Sequence, residues 1–226
     1  MTDSDIKELR KRLAEGSEPK PDEAETLTAI LSYSKGAEEA KRLAEKLLKD
    51  YGTLNNLLTT PPSRLVKNRC IDEQTAVLIS LFYTGATSLS RHKNDGVKIL
   101  NTPEKAKEYA YNLLRYMPNE QFLVISLNDK KRIISYSILF EGTVNSTYIE
   151  PQKIAETLID DGASRAIIAH NHPNGAPHPS QKDIGLTVRI RELLNMTGII
   201  LDDHIIVGKS SAVSMKYDTD SSVFNS

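Results

Sequence analysis

Apolar positions follow two different spacings along this chain. Leu27, Ile30 and Leu31 recur at helical spacing, as do Leu43, Leu47 and Leu48, so the stretch from Pro21 to about Ala86 reads as a set of helices. Ser34 to Gly36 and Tyr51-Gly52 separate them, Pro61-Pro62-Ser63 starts another, and Glu73 to Thr84 is a further one. Residues 1 to about 20 are polar and read as a frayed helix or a tail. Leu89 to Asn101 reads as a polar, lysine-containing linker. Beyond it the pattern changes to short apolar runs among helical stretches. The expected order is helix, strand, strand, helix, strand, helix, strand, strand. Glu104 to Arg115 is the first helix, broken by Met117-Pro118-Asn119, and Phe122 to Leu127 is the first strand. Asp129-Lys130-Lys131 turns the chain into the next apolar run, and Gln152 to Ile159 is a short helix. Ala163 to Ala169 reads as a buried strand, and Gly198 to Gly208 as another. One stretch is ambiguous. Ile184, Leu186, Val188 and Ile190 alternate as a strand would, while Leu186, Ile190, Leu193 and Leu194 fit a helix face; a cap at Ser180 favours helix. The expected fold class is mixed α/β (α+β), helices packed on a mixed sheet, preceded by a small all-helical domain. The expected boundaries are 1–88, a linker 89–101, a second domain 102–217 and a polar, disordered tail 218–226.

Composition narrows the class. The 226 residues suffice for one large or two small domains. The longest apolar runs are far shorter than a membrane-spanning helix needs, so no membrane association is expected. The charged opening Met1-Thr2-Asp3-Ser4-Asp5 does not read as a secretory signal. Cys70 is the single cysteine, which excludes an intrachain disulfide and fits a reducing cytoplasm. With 29 basic and 30 acidic residues the net charge is -1, which gives no electrostatic argument for nucleic acid.

Candidate chemistry is concentrated in His170-Asn171-His172-Pro173, followed by Ser180 and Asp183. Side chains alternate across a strand, so His170 and His172 share a face and Asn171 points away. Pro173 ends the ladder, Asn174-Gly175 turns the chain, and Ser180 fits a helix N-cap with Asp183 in the first turn. Two imidazoles and a carboxylate suit a borderline-soft divalent metal. Three protein ligands with a fourth position for water describe a catalytic zinc site. Ser-x-x-Asp is also a capping box in its own right. Other metal chemistries fit less well: there is no His-Glu-x-x-His, and one cysteine removes the zinc deaminase pattern. His-Asn-His is not read as an HNH nuclease, because three consecutive strand residues cannot face one metal.

His-x-His-x7-Ser-x2-Asp resembles the JAMM motif of the JAB/MPN metalloproteases. The words His170-Asn171-His172-Pro173-Asn174-Gly175 and Asp203-His204-Ile205-Ile206-Val207-Gly208 resemble the RadC branch in particular, over roughly Thr102 to Met215. The resemblance implies that His170, His172 and Asp183 hold Zn2+ and that Ser180 hydrogen-bonds the substrate carbonyl or its oxyanion. It also implies a glutamate general base where a helix gives way to the first strand. Glu120 matches that position, with Glu141 as its rival. The implied activity is hydrolysis of a peptide or isopeptide bond in a protein or peptide substrate. Asn171 departs from the serine or threonine usual between the JAMM histidines and matches the RadC variant. His204 matches a RadC position and would orient a ligand or serve as a structural histidine; His178, in the loop between ligands, is not asked for. His92 reads as solvated.

The helical domain resembles the helix-hairpin-helix region of RadC-like proteins, so DNA is an alternative partner. Its corresponding turn, Lys67-Asn68-Arg69-Cys70-Ile71-Asp72, lacks the glycines that would let a phosphate approach the backbone, and reads better as a solvated turn. A metal-binding interaction module without turnover is the remaining alternative.

Overall fold

The structure, a computed structural model, describes residues 3–16, 18–68, 70–142, 149–173, 175–219 and 221–224. The chain divides into two compact units, 1–88 and 89–226.

The first unit is helical: α1 (Asp3–Glu15), α2 (Glu23–Leu31), α3 (Ala37–Tyr51), α4 (Leu54–Leu58), α5 (Pro62–Leu65) and the start of α6 (Glu73–His92). Asp22 and Glu25 form a reciprocal capping box that starts α2. Leu27 and Leu31 of α2 bury against Ala40, Leu43, Ala44 and Leu47 of α3, as the helical spacing demands. Leu57, Leu65, Ile71 and Ile79 complete this core. In the turn before α6, Asp72 caps the helix through the Thr75 N–H (2.8 Å) and pairs with Lys35. Lys67 is exposed and Arg69 lies outside the described residues. The turn thus carries an acidic group among the cations that a phosphate contact would need.

The second unit is a mixed sheet between helices. Its elements are α7 (Pro103–Leu114), β1 (Glu120–Leu127), β2 (Ile133–Gly142), α8 (Pro151–Asp160), β3 (Arg165–Asn171), α9 (Gln181–Thr197), β4 (Ile200–Val207) and β5 (Ala212–Ser214). The strand order is β2-β1-β3-β4-β5; only the β3–β4 pair is parallel. Strand alternation divides the core between the two faces. Leu123, Ile125, Leu127, Ile167, Ala169, Ile205 and Val207 pack with α7, and Phe122, Val124, Ala166 and Ile168 pack with α8 and α9. A strand covered on both faces reads as a continuous apolar run, which is why β1 and β3 lack a polar face. The mixed α/β class and the element order agree with the sequence reading, and the ambiguous stretch is helix. Ser180 and Asp183 cap α9, Leu186, Ile190 and Leu194 line its buried side, and Gly198 ends it at φ 77°.

Two expectations are corrected. Residues 89–101 are not a free linker: α6 runs to His92, Ile99 bridges to Arg132, and Leu100 is buried in the second core. Nor is the segment from Asp218 a disordered tail over its described residues. Asp218 pairs with Lys107 (2.8 Å) and accepts from the Ser214 N–H (2.9 Å), and Phe224, in a short 3-10 helix, packs against the core beneath α9. A single phenylalanine in a polar string gives no periodicity from which to read this docking.

Burial places one acid under strain. Asp203, inside β4, accepts from the Ser214 hydroxyl (2.6 Å) and from the N–H groups of His204 (2.8 Å) and Lys216 (3.2 Å). Desolvation outweighs these bonds and pushes its carboxyl up from 3.8 to about 6. The folded chain therefore holds this proton more tightly than the unfolded one, and stability is lost as pH rises from about 4 to 6. In chelator-treated protein, wild type is expected to lose about 1 kcal/mol between pH 5 and 7 relative to Asp203→Asn. Urea unfolding at the two pH values measures this; equal changes in the two proteins would show that Asp203 does not titrate in that window.

Candidate metal centre

The site lies at one end of the sheet, where β3 stops and α9 begins. His170 is the sixth residue of β3 and faces α9, on the side of Phe122 and Ile168. His172 follows the strand end, and its N–H still bonds the Val207 carbonyl (2.7 Å), so the two imidazoles share a face. The loop from His172 to Ser180 returns over the start of the β4–β5 turn. A Cβ on Gly208 would stand 2.7 Å from Pro177 Cδ and 3.0 Å from the Gly175 carbonyl oxygen, so this approach requires glycine. Ser180 then begins α9, and one turn of helix brings Asp183 back to the histidines.

His170 Nε2, His172 Nε2 and the carboxylate of Asp183 converge, their ligand atoms all within 4.8 Å of one another. His170 Nε2 is 3.0 Å from His172 Nε2 and 3.3 Å from Asp183 Oδ1. Zinc bonds of about 2.0–2.1 Å in a tetrahedron set ligand-to-ligand edges of roughly 3.3 Å. Both separations fit. Asp183 Oδ2 accepts from the Ser180 N–H and hydroxyl, each at 2.7 Å, which leaves Oδ1 turned to His170; the third edge, from His172 Nε2 to Asp183 Oδ2, is longer at 4.0 Å.

The hydrogen bonds behind this group decide which ring nitrogens carry protons. Thr187 donates its hydroxyl to the Asp183 carbonyl (2.6 Å), so its oxygen accepts from His204 Nδ1 (2.6 Å). His204 Nε2 is then an acceptor, 2.9 Å from His170 Nδ1, which must donate. His172 Nδ1 donates to the Ala176 carbonyl (3.1 Å). Each of the two histidines is left with a bare lone pair on Nε2, and the two lone pairs face each other. Such an arrangement asks for a cation between them. Burial, with His172 adding to it and Asp183 opposing, pushes His170 down to about 4, so its ring is neutral near pH 7. His204 is fully buried and held well below its usual value, first by desolvation. His204→Leu keeps most of the volume and removes the acceptor for His170 Nδ1. Zinc affinity, read by competition with a chelating dye, is expected to fall roughly 10–100-fold; an unchanged affinity would deny His204 this orienting role.

A family profile described as the RadC-like JAB domain matches residues 100–220. The chain belongs to the RadC-like JAB domain family. Relatives along nearly the whole chain agree. It is 31% identical to a UPF0758 protein of Rhodobacter capsulatus over 92% of this chain and 97% of that one. It is 30% identical to UPF0758 proteins of Ruegeria pomeroyi (93% and 94% covered) and of a Geobacillus species (94% and 93%).

Within this RadC-like domain the remaining candidates are distributed unevenly. Ser180 is exposed at the helix start, and its hydroxyl serves the capping box with Asp183. Glu120 opens β1, half-buried, two residues before Phe122 and hence on the sheet face of His170. Phe122 pairs in register with His170 and stacks beside its ring at 6.4 Å. Glu141 pairs in register with Gln121, one residue out of phase with Glu120; its side chain lies outside the described residues. His178 is exposed and stands apart from the converging group. His92 ends α6 beside Asp95 (2.7 Å), exposed. Sequence reasoning missed Thr187, although its place one turn after Asp183 was the available signal. No helix among the described residues is long and apolar enough to cross a membrane.

Proposed function

We propose that this protein is a zinc-dependent hydrolase of peptide or isopeptide bonds, with His170, His172 and Asp183 as ligands. The observation that carries the reading is the pair of Nε2 lone pairs 3.0 Å apart beside Asp183 Oδ1, each fixed by a hydrogen bond from its own Nδ1. Zinc bound there would supply a water acidic near neutral pH and a Lewis acid for the substrate carbonyl. Glu120, from the same sheet face, takes a proton from the attacking water and hands it to the leaving amine. Ser180, at the N-terminus of α9, turns its hydroxyl from Asp183 Oδ2 to the developing negative charge on the carbonyl oxygen, where the helix dipole favours it. His170, His204 and Asp183 are buried and His172 is half-exposed, so substrate approaches from the His172 side. The single cysteine fits work in a reducing cytoplasm.

The test is a panel of linear peptides and lysine-linked isopeptides, offered to the zinc-loaded chain with release of a new amine as the readout. Cleavage that stops on chelation and returns with added zinc is the expected result. A zinc-loaded chain that cleaves nothing in the panel would count against hydrolysis and favour a metal-binding interaction module.

A further inference from the structure

The residue between the two histidines faces away from the metal ligands, yet it is tied to the strand that carries Glu120. Asn171 is 2% exposed. Its Oδ1 accepts from the Gln121 N–H (2.7 Å), and its Nδ2 donates to the carbonyls of Asn119 (3.1 Å) and Met117 (3.4 Å). The Asn119 carbonyl belongs to the peptide group before Glu120, and the Gln121 N–H to the one after it. One side chain thus holds both peptide groups that flank the Glu120 Cα. On its other side residue 120 pairs with Gly142 of β2, but the β1–β3 ladder begins only at Phe122–His170, so no ladder bond ties residue 120 to the strand of the histidines. An amide suits the position because it offers an acceptor and two donors at once; a rotated amide would set N–H against N–H.

We propose that Asn171 is a positioning residue, which locks the Glu120 backbone to the strand bearing His170 and His172 and so holds the base in register with the metal ligands. The inference rests on the proposed role of Glu120. It assigns a task to a residue that touches neither metal nor substrate. Three hydrogen bonds in a buried site also add stability, so a loss of stability in a variant would not separate the two roles.

The distinguishing experiment uses the full chain loaded with Co2+, whose visible spectrum reports the ligand field as pH is varied. A carboxylate near the open coordination position shifts the midpoint of that pH dependence. Glu120→Gln is expected to move it by roughly one unit. Asn171→Ala is expected to move it in the same direction by at least about half as much, with cobalt affinity within about threefold of wild type, and to add nothing in the Glu120→Gln background. Asn171→Asp, which keeps the acceptor for the Gln121 N–H, serves if the alanine variant does not fold, and a smaller shift in the same direction is expected. If Glu120→Gln shifts the midpoint and neither Asn171 variant does, the positioning role is overturned while the base assignment stands. If Glu120→Gln itself has no effect, the base assignment fails and the proposal falls with it. A shift from Asn171→Ala that persists undiminished in the Glu120→Gln background would also overturn it, since the effect would then travel through another group.

Discussion

Asp183→Ala is expected to lower zinc affinity by well over 100-fold and also to destabilise the metal-free chain by about 1 kcal/mol. Asp183 makes two separate contributions. Its Oδ1 stands 3.3 Å from His170 Nε2 and belongs to the converging group, while its Oδ2 accepts from the Ser180 N–H and hydroxyl and closes the capping box of α9. Loss of a direct ligand exceeds the roughly 10–100-fold cost of losing an outer partner. Loss of the cap costs about 1 kcal/mol whether or not metal is present. Ser180→Ala separates the two contributions. It removes the cap's hydroxyl and leaves the ligand, so the metal-free chain should lose similar stability while zinc affinity falls by far less. Chelator competition and urea unfolding of chelated protein measure the two quantities. Equal zinc affinity in wild type and Asp183→Ala would reduce Asp183 to a helix cap.

The second large effect is expected at Glu120. Glu120→Gln keeps the size and hydrogen-bonding reach of the side chain and removes its ability to take a proton. Zinc content should equal that of wild type, while cleavage of whichever substrate the panel yields should fall about 10²–10⁴-fold. A loss of kcat at constant KM would locate the defect in the chemical step. The rival Glu141 sits one residue out of phase in the β1–β2 register, so Glu141→Gln should leave turnover near the wild-type value. Wild-type turnover by Glu120→Gln would transfer the role elsewhere.

The second unit's architecture was legible because its punctuation is local. Met117-Pro118-Asn119, Asp129-Lys130-Lys131 and the Ser180 cap each end or begin an element within a few residues, and the apolar runs between them are strand-length. The stretch from Ile184 to Ile190 shows the limit of periodicity: both spacings fit, and the capping box with its closing glycine decided for helix. The convergence of His170 and His172 followed from strand alternation, and that of Asp183 from one turn of a capped helix. What stayed hidden depends on pairings across long sequence separations. Thr187 and His204 meet across α9 and β4, and Asn171 reaches back 50 residues to Gln121. No spacing rule encodes such contacts, because the strand order that creates them is a property of the whole sheet. The length of α6 was underestimated for a different reason: Leu89 to His92 is polar enough to read as linker, yet Ser90 is buried and bonds the Asn112 carbonyl (2.7 Å).

Everything proposed for this chain depends on His170, His172 and Asp183 forming one metal site. Elemental analysis of the 226-residue chain purified without chelator tests it most directly, beside a His170→Ala/His172→Ala control checked for folding by circular dichroism. About one zinc per wild-type chain and none in the control is the expected result. Wild-type protein that carries no zinc and takes none up on addition, or a control that retains its zinc, would contradict it.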